Sequence, residues 1–76
     1  MKVKPGDTVT IDGIVYRFGK SSSEAFNIWL ELLEHGAVET DTTIDLFAAD
    51  GYEGKSFPPS KIKEALEKAE QNKSPH

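Results

Sequence analysis

The stretch Ser21 to His35, SSSEAFNIWLELLEH, holds the chain's only tryptophan and its densest apolar cluster, and the other apolar segments are short enough to need it as a packing partner. At 3.6 residues per turn, Ala25, Phe26, Ile28, Trp29, Leu30, Leu32 and Leu33 cover an arc of roughly 200°, about twice the stripe of an ordinary surface helix. That width predicts a central amphipathic helix covered on two sides. Its narrow remaining face carries Glu24, Asn27, Glu31, Glu34 and His35, so the solvent side is acidic. Ser21 and Glu24 stand at capping-box spacing, with Ser23 as the competing cap, and Gly36 supplies the left-handed position that ends the helix after His35.

Towards the N-terminus, Val9, Ile11, Ile14, Tyr16 and Phe18 are interrupted by Asp12-Gly13, a pair that favours a two-residue type I′ turn. A β-hairpin follows, with Ile11 opposite Ile14 and Val9 opposite Tyr16. Alternation puts these four with Phe18 on one side and Thr8, Thr10, Val15 and Arg17 on the other. Pro5-Gly6 turns the chain so that Met1 and Val3 run back towards the pair as an extra edge segment. A two-stranded hairpin is barely stable alone in water, so its apolar side must lie on the central helix.

Towards the C-terminus, Thr42 precedes Asp45 at capping-box spacing, Ile44, Phe47 and Ala48 fall at i, i+3 and i+4, and Gly51 follows as a stop. This predicts a short helix from Thr43 to Asp50, although Thr42 to Phe47 also has strand character and the helix rests largely on Ala48-Ala49. Gly51 to Pro59 reads as a loop whose Tyr52 and Phe57 fold onto the core. Ser60 caps a last helix to about Gln71 with the stripe Ile62, Ala65, Leu66 and Ala69, and Lys63/Glu67 and Glu64/Lys68 pair on its exposed side. The expected fold is α+β, in the order ββααα: an N-terminal hairpin on a central helix, a short helix and a C-terminal helix. Residues 1–71 form one small domain and 72–76 a frayed tail.

A chain of 76 residues has room for one core and buries only about 60% of its unfolded surface, so a partner or self-association would add stability. No apolar run approaches the roughly 18 residues of a membrane span, no apolar leader follows the first lysines, and the absence of cysteine excludes disulfides and thiolate metal sites. These features point to a cytoplasmic location. The net charge of −4 is unevenly distributed: residues 1–20 carry +2, residues 55–76 carry +2, and residues 21–54 carry eight carboxylates with no lysine or arginine, −8. Either the basic ends fold back and neutralise the middle, or the middle is an anionic face for a basic partner surface.

Catalysis finds little support. His35 and His76 belong to no nucleophile, metal or phosphate motif, and Ser21 to Ser23 lie about 18–20 Å from His35 along one helix. Asp41 and Asp45, one helical turn apart, and Asp50 and Glu53 miss the spacing of a Ca²⁺ loop, so neither a metal site nor a cofactor is expected. A winged-helix-like nucleic-acid-binding regulator would use Arg17, Lys55, Lys61 and Lys63. Against it stand a long loop before the last helix, a hairpin that precedes the helices, and the balancing Glu64, Glu67 and Glu70. Gly51-Tyr52-Glu53-Gly54 has the bare G-x-x-G of an RNA-clamping loop, but its glutamate opposes phosphate, so it reads as a turn. The leading expectation is a non-enzymatic binding protein acting through protein–protein interaction. Glu24, Asn27, Glu31, Glu34, Asp41, Asp45 and Asp50 would orient the basic partner, and Tyr52 would add apolar contact. A self-assembling structural component, in which the arc around Trp29 continues into a second subunit, is the remaining alternative.

Overall fold

A computed structural model describes residues 2–51 and 53–72, with side chains as far as residue 70. Six elements follow in the order ββαββα: β1 (Thr8–Ile11), β2 (Ile14–Arg17), α1 (Lys20–Glu34), β3 (Ile44–Ala48), β4 (Lys55–Phe57) and α2 (Pro59–Asn72). The four strands form one antiparallel sheet in the order β1-β2-β3-β4. The fold is therefore α+β as expected, with two helices rather than three.

The first hairpin has the register its turn dictates, with Ile11 paired to Ile14 and Val9 to Tyr16. Asp12 and Gly13 both take positive φ, 53° and 82°, as a type I′ turn requires. Val9, Ile11, Tyr16 and Phe18 are buried, while Ile14, at the tip, remains exposed. Met1 lies outside the described residues, and Val3 does not add a strand. It is buried against α1, where Asn27 accepts its N–H through Oδ1 (3.0 Å) and donates from Nδ2 to its carbonyl (2.9 Å).

The segment expected as a short helix from Thr43 to Asp50 is instead β3, and the loop after it contains β4. Both periods fit the residues: Ile44, Phe47 and Ala48 suit a helix, whereas Ile44, Leu46 and Ala48 suit a strand. The neighbouring chain decides between them. As a strand, β3 pairs with β2 through Tyr16–Ala48 and Arg17–Phe47 and with β4 through Ile44–Phe57, Asp45–Ser56 and Leu46–Lys55. It buries Ile44 and Leu46 together with Phe57 and leaves Phe47 63% exposed. The edge that β2 would otherwise present to water is thereby paired, which outweighs the modest helix preference of Ala48-Ala49. Truncating Leu46 to alanine is expected to cost about 2 kcal/mol, the low end for a buried leucine because the three-residue β4 beside it can relax. Phe47→Ala is expected to cost under about 1 kcal/mol, as at an exposed position. Urea denaturation of the two variants checks this, and a larger loss at Phe47 would restore the helical stripe.

The helix ends also differ from expectation. Gly19, not Ser21, precedes the first turn of α1: its N–H donates to Ser22 Oγ (2.7 Å), which donates back to the Gly19 carbonyl (3.1 Å). Ser21 and Glu24 stay exposed. At the other end His35 closes the helix and Gly36, with φ at 90°, turns the chain as expected. α2 opens on Pro59, whose missing N–H costs nothing in a first turn, so Ser60 lies inside the helix rather than capping it. Its N–H and hydroxyl both donate to the Glu39 carboxylate, an anion placed at the positive end of the helix.

Both helices lie on one face of the sheet and touch each other, α2 over β1 and α1 over β3. Between the layers sit Phe18, Phe26, Leu30, Leu46 and Ile62, nearly fully buried, with the Phe18 and Phe26 ring centroids 5.5 Å apart. Tyr16 meets Phe57 edge to face at 5.0 Å. The opposite face of the sheet, which carries Thr8, Thr10, Arg17, Asp45, Phe47 and Ser56, is open.

Candidate protein-interaction surface

The arc of α1 is wider than the fold covers. Phe26 and Leu30 are buried and Ala25, Trp29 and Leu33 half-buried, but Ile28 is 61% and Leu32 42% exposed. The physical reason is geometric: a helix lying in a two-layer fold meets the sheet below and one neighbouring helix beside it, and for α1 these are chiefly β3 and α2, with Val3 packed at Asn27. Ile28 and Leu32 stand one turn apart and within about 40° of each other around the axis. Glu24 and Glu31 lie within about 20° of each other, and about 40–100° round from the apolar pair. His35 falls between the two pairs, and Glu34 extends the acidic strip further round. The exposed side of α1 is thus an apolar pair with a carboxylate border.

The carboxylates of the central segment separate into those tied into the fold and those that are not. Glu39 holds the first turn of α2, and Asp45 accepts the Ser56 hydroxyl across β3 and β4. Glu24, Glu31 and Glu34 are exposed, and among the described residues the salt bridges lie elsewhere, Lys61 to Asp12 (3.2 Å) and Lys63 to Glu67 (3.3 Å). Neither of these ion pairs involves the strip. Lys2 borders a shallow depression with Glu31, Glu34 and His35, and Lys20 stands one turn before Glu24 in α1.

Not every residue expected at the interaction face lies there. Asn27 is engaged with Val3 and holds the N-terminal segment against α1. Asp45 projects from the open face of the sheet, Asp41 lies in the exposed connection before β3, and Asp50 is in the turn after it. Tyr52 lies outside the described residues. The exposed apolar pair of α1 and the ring of Phe47 were not singled out from sequence; the signal for Ile28 and Leu32 was the arc itself, too wide for any single partner layer.

The residues of the nucleic-acid reading are not brought together. Arg17 is on the open sheet face beside Phe47, and Lys55 is at the edge strand β4. Lys61 ties α2 to the turn of the first hairpin through Asp12, and Lys63 is held by Glu67 within α2. Among the described residues no three His, Asp or Glu side chains form a metal-binding group, and no helix is long and apolar enough to cross a membrane. Comparison with protein-family models, curated proteins and solved structures found no match to this chain.

Proposed function

We propose that this chain is a small non-enzymatic cytoplasmic binding domain that engages a basic, amphipathic surface of a partner protein through the exposed side of α1. One observation carries the reading: Ile28 and Leu32 are uncovered beside Glu24 and Glu31, whose carboxylates have no ion-pair partner among the described residues. An apolar pair supplies contact area and the carboxylate border supplies attraction and orientation. Self-association through the same pair is disfavoured, because a second copy would bring its own Glu24 and Glu31 against these. Sedimentation over a range of concentrations separates the two readings.

The partner is to be recovered with the intact chain as bait, and association then measured by stopped flow at several salt concentrations. Reversing Glu31 and Glu34 to lysine is expected to lower the association rate by about tenfold or more at low salt and to flatten its salt dependence. Ile28→Ser with Leu32→Ser is expected instead to shorten the lifetime of the complex. Unchanged rates in both variants would remove α1 from the account.

A further inference from the structure

The sheet contains a gap beside α1. Ala49 N–H donates to the Val15 carbonyl (3.0 Å), which places Val15–Ala49 and, two residues on, Arg17–Phe47 as the hydrogen-bonded pairs between β2 and β3. The groups of β3 that face β2 therefore belong to Ala49, Phe47 and Asp45. The pairing stops at Arg17–Phe47, because Gly19 turns the chain into α1, while β3 continues back to Ile44. On the other side Asp45 stands opposite Ser56 in a register whose hydrogen-bonded pairs are Ile44–Phe57 and Leu46–Lys55. The N–H and C=O of Asp45 thus point into the gap, and among the described residues no strand stands opposite them.

A groove of about 440 Å³ occupies that gap. Gly19 to Ser22 and Ala25 form the α1 wall, Thr43 to Asp45 form the β3 wall, and Phe47 forms the mouth. The Phe47 ring is seated on Gly19, where an added Cβ would lie 3.2 Å from Cε2, yet the ring is mostly exposed.

We propose that this gap receives one extended segment of a partner polypeptide, which completes the sheet along the free half of β3. A backbone donor and acceptor presented side by side on a strand are matched by another extended backbone. The segment residue opposite Asp45 shares its face of the sheet, so a lysine or arginine there meets the Asp45 carboxylate, while Lys20 is the chain's own cation in the α1 wall. The next residue points inward, between Ala25 and Ile44, and is apolar. This site is distinct from the exposed side of α1 and does not depend on the function proposed for it.

The test is amide hydrogen exchange and NMR titration of the isotopically labelled full chain with the peptide acetyl-KVTVS-amide. In the free chain the Asp45 amide is expected to exchange at least about tenfold faster than that of Phe47, since only the latter has a strand partner. Adding peptide to about 1 mM is expected to shift the Asp45 amide and slow its exchange. The same peptide N-methylated on lysine and threonine, the alternate positions whose N–H groups face β3, is expected to do neither. Phe47→Ala, an exposed position that leaves the fold intact, is expected to weaken binding about threefold. The proposal is overturned if Asp45 is as protected as Phe47 in the free monomer, which would mean the chain fills its own gap. It is also overturned by protection that appears only at high protein concentration, by an absence of shifts, or by equal binding of the N-methylated peptide.

Discussion

Gly54→Ala is expected to destabilise the protein by about 3 kcal/mol, the upper end for a substitution that forces atoms into a filled space. A Cβ at this position would lie 2.0 Å from the Leu46 carbonyl oxygen, 3.0 Å from its carbon and 3.2 Å from the Phe47 Cα. All three are backbone atoms of β3, so no side-chain rotation relieves the clash; the strands must move apart. The pairs that follow, Lys55 with Leu46 and Phe57 with Ile44, begin one residue after the obstruction. A chain of this length has a total stability of about 4–11 kcal/mol, so the loss is a large share of the whole. Thermal unfolding should move down by about 10–20 °C, with a matching fall in the urea midpoint. A change within about 0.5 kcal/mol, as at an ordinary surface site, would mean that the chain at Gly54 does not approach β3 as described.

Phe26→Ala is expected to cost about 3–5 kcal/mol, the range for removing a buried aromatic ring. Phe26 has no exposed surface, lies on the face of α1 turned to the sheet and meets Phe18 across the interface between the layers. Its removal takes away both the burial and the ring contact with Phe18, and leaves a cavity in a core too small to redistribute the loss. Because that cost approaches the stability of the domain, Phe26→Leu serves as the companion variant, folded and weakened by about 1.5 kcal/mol or less. The single tryptophan, Trp29, reports unfolding by fluorescence in both. Phe26→Ala matching Ile28→Ala would show that the buried side of α1 has been assigned wrongly.

The sequence made the first half of the chain legible because its signals act between near neighbours. Asp12-Gly13 sets the turn and therefore the pairing of Ile11 with Ile14, and Gly36 ends α1 three residues after its last apolar position, Leu33. The second half carries weaker punctuation. From Ile44 to Ala48 the helical and strand periods share two apolar residues, Ile44 and Ala48, and differ only in whether Leu46 or Phe47 is buried. That choice depended on β2, more than 25 residues earlier in the chain, and on β4, whose three residues Lys55, Ser56 and Phe57 show little strand character alone. Gly51, read as a helix stop, instead supplies a positive φ of 94° on leaving β3.

The candidate surface divides along the same line. That residues 21–54 carry only negative charge, and that α1 has an acidic strip and an excess of apolar residues, follows from the order of amino acids and the period of a helix. Which apolar residues stay uncovered, which carboxylates are tied down and what Asn27 does were decided by the tertiary structure. Glu39 meets Ser60, Asp45 meets Ser56 and Asn27 meets Val3 across separations of 21, 11 and 24 residues. Local chemistry sets the turn, the helix and the distribution of charge, because each depends on residues a few positions apart. The strand identity of Ile44 to Ala48, the exposed pair Ile28 and Leu32, and the gap beside Asp45 arise only when distant segments compete for the same surface, and no window of sequence contains both competitors.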